Sequence, residues 1–393
     1  MIDEVIARSG QVTVFDLFRQ RALHGPDRPA LTERGRSWSY AQTEDRVLRL
    51  ARSLGDRGIG RGDRIALLAE NRREYAEIEL ACAAIGAIVA CQNWRLAADE
   101  LRHCVTLVSP ALAIVSARYQ ESYAALGLDV PVLVIEDDFE SLLSADPLTE
   151  RPELDPEDGL VILYTSGTTG LPKGALISHR AQIARMTAYR MDMHVTPEDG
   201  FVAWAPMFHM GSTDQVLATL MTGATVHVVD GFDAETIVGL MERESLGWML
   251  LMPGSIEPVV ELMQKTGRRA KSIRAVGAMI DLVPRALAAE LSRLTCAPYL
   301  NSFGSTETGL PPASSCLIPA GETPQSLSKH ASAMSEIRLV DPEDREVAVG
   351  EPGEVCVRGP TLFSGYWGAE QTNSKDFRGG WFHMGDMFRR NTN

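Results

Sequence analysis

The feature that most constrains the fold is an alternation of short β-branched runs with longer amphipathic segments. Arg64–Leu68, Leu112–Val115 and 160–163 are apolar runs of strand length. Residues 73–85 and 98–107 instead carry apolar side chains at helical spacing. Strands that alternate with helices through short turns pair in parallel and are covered by helices. The sequence therefore predicts an α/β protein built on doubly wound sheets.

The pattern divides the chain of 393 residues into three predicted parts. An acidic, proline-containing connector over 137–158 separates a first α/β subdomain, residues 1–158, from a second at 159–330. Near residue 335 the pattern changes to short strands and Gly/Pro turns. Residues 331–393 are therefore predicted to form a small β-barrel-like subdomain.

Composition excludes several classes of protein. A net charge of −14 argues against a nucleic-acid or anionic-membrane surface, because both require basic patches. The six cysteines show neither a CxxC pair nor zinc spacing, which is typical of reduced thiols in a cytoplasmic protein. No signal peptide is recognisable, and no apolar run reaches the roughly eighteen residues of a transmembrane segment. We expect a cytoplasmic location.

The segment 164–174 (Tyr-Thr-Ser-Gly-Thr-Thr-Gly-Leu-Pro-Lys-Gly) follows the apolar run 160–163. Its glycines allow a sharp turn with exposed backbone N–H groups, and its hydroxyls and lysine are donors to a polyanion. It is not a Walker A loop, which needs Gly-Lys-Ser/Thr at the start of a helix. The segment predicts a phosphate-binding loop; the alternative is a solvated turn between strands.

Three further segments carry chemistry. In 205–211 (Ala-Pro-Met-Phe-His-Met-Gly), His209 either guards an apolar pocket or is a satisfied core histidine. In 301–309 (Asn-Ser-Phe-Gly-Ser-Thr-Glu-Thr-Gly), Glu307 could hold Mg²⁺ beside a phosphate on Thr306, and Phe303 offers a face to a purine; the alternative is a capped loop. In 380–386 (Gly-Trp-Phe-His-Met-Gly-Asp), Asp386 could accept hydrogen bonds from a ribose diol.

Together these segments resemble the adenylate-forming superfamily of acyl-CoA synthetases, firefly luciferase and peptide-synthetase adenylation domains. The segment 164–174 is similar to its phosphate-loop signature, 303–307 to its Tyr-Gly-x-Thr-Glu motif, and 380–386 to its Gly-Trp-Phe-His-Thr-Gly-Asp motif. Order and spacing also agree, and the resemblance covers nearly all of the chain.

The resemblance implies a role for each matching residue. His209, Thr306 and Glu307 would be catalytic, and Glu307 and Thr165 would hold Mg²⁺. Thr213 could read a polar group of the acid or could be an ordinary residue of a helix start. The residues implied to bind ATP or AMP are Thr165, Ser166, Gly167, Thr168, Thr169, Gly170, Lys173, Gly277, Ala278, Asn301, Ser302, Phe303, Gly304, Ser305, Thr306 and Asp386. The candidates for the acyl pocket are Trp204, His209, Met210, Thr213, Met252 and Met279.

The implied reaction joins a carboxylic acid to ATP, giving an acyl-adenylate and pyrophosphate, after which CoA displaces AMP. An amino acid is disfavoured as substrate, because peptide-synthetase domains place an aspartate where this chain has His209. In the adenine-side wall Gly277-Ala-Met-Ile280, Met279 replaces the usual proline. Family members continue into a mobile C-terminal domain that carries a catalytic lysine. We therefore expect this chain to be the large N-terminal part, able to bind ATP, AMP and acid but slow to turn over.

Two alternatives of other classes remain. A stand-alone nucleotide-binding module would lack catalysis, although the nearly complete site argues against it. A P-loop kinase or ATPase is disfavoured, because the Gly-Lys-Ser/Thr pattern is absent from the loop.

Overall fold

The computed structural model describes residues 6, 8–165 and 170–392. The helices are α1 Val14–His24, α2 Tyr40–Asp56, α3 Arg73–Ile85, α4 Ala98–Val108, α5 Gln120–Ala124, α6 Ile135–Leu142, α7 His179–Met193, α8 Met210–Thr222, α9 Ala234–Arg243, α10 Ile256–Thr266, α11 Arg285–Thr295 and α12 Glu370–Asp376. The strands are β1 Pro29–Glu33, β2 Arg36–Ser39, β3 Arg64–Leu68, β4 Ile88–Cys91, β5 Leu112–Val115, β6 Val132–Val134, β7 Gly159–Thr165, β8 Lys173–Ser178, β9 Phe201–Ala203, β10 Val226–Val228, β11 Ser245–Met249, β12 Ser272–Val276, β13 Tyr299–Leu300, β14 Phe303–Ser305, β15 Gly309–Ala313, β16 Leu317–Ile318, β17 Glu336–Val340, β18 Pro352–Arg358 and β19 Phe382–Arg389.

The first sheet has six strands in the order β6-β5-β3-β4-β7-β8. All neighbours pair in parallel except β7 and β8, which form an antiparallel hairpin at one edge. Its central strands are buried and apolar, as a sheet covered on both faces requires. The predicted parallel sheet is confirmed. β7, the first strand after the boundary predicted at residue 158, pairs with β4 of this sheet, and the division into subdomains stays a prediction.

The second layer contains two four-stranded sheets, ordered β2-β1-β10-β9 and β11-β12-β13-β16. A parallel bridge between Gly200 and Leu246 joins them, so β9 and β11 run side by side. Helix α7 packs against α8 and begins where expected: the Ser178 side chain accepts a hydrogen bond from the Ala181 backbone N–H.

The C-terminal part is an open antiparallel sheet in the order β17-β18-β19, with a small core of Leu339, Val355 and Val357. The expected barrel-like closure is not found within residues 331–392. Three strands leave two unpaired edges, and a barrel requires enough strands to close on itself.

The buried side chain of Asn71 connects the first sheet to the second layer. Asn71 follows β3, and its Nδ2 donates to the carbonyls of Ala203 (3.0 Å) and Ala205 (2.7 Å), next to β9. Its Oδ1 accepts from the Met207 backbone N–H at 2.8 Å. The carboxyl ends of β3 and β9 therefore lie close together, and open α/β sheets bind ligands at the carboxyl ends of their strands. None of the helices in the described ranges has the length and apolar character needed to cross a bilayer.

Candidate active site

The predicted phosphate loop is the turn of the β7–β8 hairpin. The predicted strand before it is confirmed, and Thr165 pairs directly with Lys173 at the end of the hairpin next to the connecting loop. Gly170 has φ +109°, which glycine alone adopts readily. Ser166, Gly167, Thr168 and Thr169 lie outside the described residues, so their contacts with phosphate stay a prediction.

His209 is the N-cap of helix α8, directly after the β9 segment. Its Nδ1 accepts a hydrogen bond from the Gly211 backbone N–H at 3.2 Å. The imidazole is solvent-exposed, so it is not a core histidine. The surrounding protein nevertheless reduces its hydration and lowers its pKa, and the positive charge of Arg95 lowers it further. His209 is thus an accessible imidazole whose pKa lies below its usual value.

The candidates for the acyl pocket fall into two groups. Trp204 is buried, and its indole N–H donates to the Leu250 carbonyl at 2.7 Å, which joins the ends of β9 and β11. Thr213 is fully buried, and its hydroxyl donates to the Met207 carbonyl. Thr213 therefore matches an ordinary helix-start residue, and its hydroxyl is not available to the acid. The partly buried methionines at the carboxyl ends of β9, β11 and β12 are Met210, Met252 and Met279.

The wall predicted on the adenine side is held by two buried aromatic residues. The indole N–H of Trp248 donates to the Gly277 carbonyl (2.7 Å), and the Tyr299 hydroxyl donates to the Ala278 carbonyl (3.0 Å). Gly277 has φ +75°, and a Cβ there would lie 2.3 Å from the Tyr299 ring. Only glycine fits this position. Met279 has φ +38°, an uncommon conformation for a residue with a side chain.

Asn301 serves as an anchor of the motif 301–307. It is fully buried, its Nδ2 donates to the Ser328 carbonyl (2.8 Å), and its Oδ1 accepts from Lys329 Nζ (2.6 Å). Lys329 also pairs with Asp281 at 2.5 Å and is almost completely buried. The side-chain amide of Asn301 is thus occupied by protein contacts, and Lys329 joins the motif to the segment after the adenine-side wall.

The aromatic ring predicted to stack on adenine has a neighbour in β19. The centroid of the Phe303 ring lies 4.6 Å from that of Phe388, with the planes 48° apart. One side of Phe303 is therefore covered, and a purine would have to use the other face. Ser302 is buried, while Gly304 and Ser305 are half-buried in β14.

Arg185 fixes the loop that carries Thr306. It is buried in helix α7 and donates to Asp214 Oδ2, to the Thr306 carbonyl and to the Thr361 carbonyl, each at 3.0 Å. Burial raises the pKa of Asp214, and the Arg185 charge opposes this. The Thr306 backbone is thereby joined to both helices behind the site.

Three side chains from separate segments meet in the site. The Tyr366 hydroxyl donates to Glu307 Oε1 at 2.7 Å, and Lys173 Nζ lies 4.4 Å from the centroid of the Tyr366 ring. Burial and the negative charge of Glu307 raise the pKa of the exposed Asp386. Tyr366 thus joins the phosphate hairpin to the acidic motif of Glu307, while the roles of Lys173, Glu307 and Asp386 stay predictions.

The carboxylate of Glu307 is suited to a divalent cation. Tyr366 uses one oxygen of Glu307, and the other makes no hydrogen bond within the part of the chain that is described. Mg²⁺ favours one or two carboxylates together with substrate phosphate oxygens. Such an ion would neutralise phosphate charge, and it would also relieve the repulsion between Glu307 and Asp386. Thr165, the second predicted ligand, stands across the hairpin from Lys173.

A second group of potential metal ligands lies beneath Asp386. Glu354, Cys356 and His383 place ligand atoms within 4.8 Å of one another. Arg378 already donates to Glu354 at 3.3 Å, and burial raises the pKa of the Cys356 thiol to about 11. A neutralised carboxylate and a protonated thiol are poor ligands, so the group is a hydrogen-bond network. It orients Asp386, because Glu354 Oε1 accepts from the Gly385 N–H at 3.2 Å.

Four residues of the site carry no signal in the motifs used above. Arg185, Lys329 and Asn71 are buried polar residues whose partners lie far away in sequence. Tyr366 stands in a segment rich in aromatic residues, 363–367 (Phe-Ser-Gly-Tyr-Trp). That aromatic cluster is the one local signal that could have identified a contact with the larger subdomains.

Comparisons with known proteins agree with this geometry. The family model "AMP-binding enzyme" matches residues 18–367. An indoleacetate–CoA ligase of Aromatoleum aromaticum is 31% identical over 92% of this chain and 73% of its own length; a feruloyl-CoA synthase of Amycolatopsis is 29% identical over 94% and 74%. A Rhodopseudomonas palustris structure described as a long-chain-fatty-acid CoA ligase superposes with a TM-score of 0.89 at 28% identity, covering 98% of this chain and 97% of that one. The chain belongs to the family of AMP-binding enzymes.

Proposed function

We propose that the chain activates a carboxylic acid with ATP, releasing pyrophosphate, and that coenzyme A then displaces AMP to give a thioester. Family membership supports nucleotide chemistry, and relatives named as acid–CoA ligases support the reaction class. The observation that carries the proposal is the meeting of Lys173, Glu307 and Tyr366 from three separate segments.

Each residue of the site has a proposed role in the first step, in which the acyl-adenylate forms. A carboxylate oxygen of the acid attacks the α-phosphorus, the bond to the bridging oxygen breaks, and pyrophosphate leaves. Lys173 and Thr165 would hold the β- and γ-phosphates, Thr306 would donate to the α-phosphate, and Asp386 would accept from the ribose hydroxyls. Glu307, with Thr165, would hold Mg²⁺. Positioning and charge neutralisation supply most of the rate in such chemistry.

In the second step the CoA sulfur attacks the acyl carbon and AMP leaves. His209, exposed and neutral, would border the carboxylate and the path of the thiol.

The proposed acid is aliphatic or aromatic and has no second charge. Trp204 and the three methionines at the sheet edge offer an apolar lining. An amino acid would need a carboxylate for its ammonium group. The residue after Phe208 is His209, and Asp214 on the same helix is already paired with Arg185. The named relatives that act on indoleacetate and ferulate are consistent with an aromatic acid.

We further propose that this chain of 393 residues binds ATP, AMP and acid but turns over slowly. Lys173 stands at the phosphate hairpin, and Lys329 is engaged by Asp281 and Asn301. We therefore propose that neither lysine neutralises the α-phosphate on the side from which the acid attacks. Pyrophosphate exchange as fast as that of the named relatives would contradict this part. The free thiols of all six cysteines support a reducing compartment such as the cytoplasm.

Binding measurements on variants test the assignments. Glu307→Gln should abolish the Mg²⁺-dependent part of ATP affinity, and Asp386→Ala should weaken AMP affinity by about tenfold, the loss expected for one charge-assisted hydrogen bond. Glu257→Gln, an exposed glutamate of α10, is the matched control and should behave as wild type. Unchanged Mg²⁺ dependence in Glu307→Gln would refute the metal assignment, and unchanged AMP affinity in Asp386→Ala would refute the ribose assignment.

A further inference from the structure

The segment 363–367 pairs as a short additional strand with β8, the second strand of the phosphate hairpin. Leu176 N–H donates to the Gly365 carbonyl (3.0 Å), and Trp367 N–H donates to the Gly174 carbonyl (2.8 Å). Tyr366 and Ala175 form an antiparallel bridge between these contacts. The backbone of Tyr366 is therefore fixed to β8, which begins with Lys173.

A side chain outside this ladder fixes Tyr366 from its other edge. Asn373 in helix α12 accepts from the Tyr366 N–H (2.8 Å) and donates to the Tyr366 carbonyl (2.9 Å). This reciprocal pair imitates the backbone contacts of a strand. The start of the same segment also contacts the loop that carries Glu307, because the Phe363 N–H donates to the Glu307 carbonyl at 2.8 Å.

The side chain of Tyr366 contacts two groups of opposite charge in different ways. Its hydroxyl donates to Glu307 Oε1 at 2.7 Å, while its ring face lies 4.4 Å from Lys173 Nζ. Among the described residues, Lys173 forms no ion pair. A carboxylate and an ammonium that contact the same side chain attract each other, and a direct ion pair between them would occupy both. The ring stands between them and is itself a partner that a cation accepts.

We infer that Tyr366 is a positioning residue that keeps Glu307 and Lys173 apart and oriented before ATP arrives. The lysine then remains available to phosphate oxygens, and the second oxygen of Glu307 remains available to a divalent cation. The inference rests on the proposed function, because it assigns Tyr366 to the phosphate and metal part of that same site.

Two substitutions separate the two contacts. Tyr366→Phe removes the hydroxyl but keeps the ring against Lys173, so Glu307 loses its orienting donor. Tyr366→Leu removes both contacts and allows Glu307 and Lys173 to pair. Tyr40→Phe is the matched control: it deletes another buried hydroxyl, bound to the Leu220 and Ala224 carbonyls at the far end of helix α8.

The readout is Mn²⁺ binding in the presence of ATP, followed by the electron paramagnetic resonance signal of free Mn²⁺, together with metal-free AMP affinity. Tyr366→Phe should weaken Mn²⁺ binding by about tenfold, the loss of one charge-assisted hydrogen bond, and leave AMP affinity unchanged. Tyr366→Leu should also weaken metal-free ATP binding. In a Glu307→Gln background, Tyr366→Phe should have no further effect on Mn²⁺.

The outcomes separate this inference from the proposed function. Wild-type Mn²⁺ affinity in Tyr366→Phe, or an equal loss in Tyr40→Phe, would overturn the inference alone. An equal loss of AMP and Mn²⁺ affinity would show that Tyr366 serves only the fold, which also overturns it. A wild-type protein that binds no Mn²⁺ with ATP would overturn the proposed function and this inference together.

Discussion

Replacing Arg185 with methionine tests how the loop of Thr306 is held. The substitution keeps the apolar stem but removes three donors, to Asp214, Thr306 and Thr361. Asp214 is 1% exposed, and its Oδ1 makes no hydrogen bond in the described structure even with Arg185 present. Removing one partner of a buried ion pair typically costs about 3–5 kcal/mol. We expect Arg185→Met to lower the free energy of unfolding by about 4 kcal/mol near pH 7.

The sign of the pH dependence follows from Asp214. Burial already raises the pKa of Asp214. Without Arg185 its pKa should rise further above the unfolded value of about 3.9. A carboxyl whose folded pKa is raised destabilises the native state above that pKa and ceases to do so once it is protonated. The deficit of Arg185→Met relative to wild type should therefore shrink as the pH falls toward 5.

Urea denaturation at several pH values provides the assay, with AMP affinity as the readout of the Thr306 loop. Arg185→Met combined with Asp214→Asn should recover much of the loss, because no buried charge is left unpaired. Arg52→Met breaks the exposed pair with Asp56 and should leave the midpoint nearly unchanged. A loss below about 1 kcal/mol in Arg185→Met, or a loss that is the same at every pH, would refute the reasoning.

Three further changes have defined outcomes. Burial lowers the pKa of His179 from 6.5 to about 4, so stability should be full above pH 6.5 and fall by about 3 kcal/mol down to pH 4; a pH series of urea titrations should show this slope, and His179→Asn should flatten it. Gly277→Ala places a Cβ 2.3 Å from the Tyr299 ring at φ +75° and should destabilise the fold by about 3 kcal/mol, measured in urea, with weaker AMP binding; wild-type stability would contradict the close approach. Arg95→Gln removes a positive charge near His209 and should raise the pKa of that imidazole in an NMR titration, whereas an unchanged or lower value would contradict the assigned cause.

Local sequence patterns predicted elements whose ends are marked by turn residues. The predicted bounds of Arg64–Leu68, Arg73–Ile85 and Leu112–Val115 coincide with the observed strands and helix. Each is a continuous apolar or periodic run, and the helical one ends directly before Gly86. Pairing between segments that are distant in the sequence is not indicated by local residue patterns. The strand Gly159–Thr165 pairs with β4 of the first sheet, and its own residues do not indicate that partner.

The residues of the site show the same difference between local motifs and long-range contacts. Glu307, Asp386 and Lys173 could be predicted as site residues because each stands in a short motif of defined chemistry. Arg185 was missed, since its three partners are distributed over residues 214–361 and only the fold brings them together. The open choice at Thr213 was also decided by packing, because its burial and its bond to the Met207 carbonyl depend on tertiary structure.

A single-turnover reaction tests the central claim most directly. Excess protein would be mixed with ATP labelled at the α-phosphate, Mg²⁺ and a series of aliphatic, aromatic and amino acids, and the labelled products would be separated. We predict an acid-dependent product that contains AMP, with stoichiometric pyrophosphate, for one or more uncharged-chain acids, and none in Glu307→Gln. Labelled ADP, or AMP formed equally without any acid, would contradict the account.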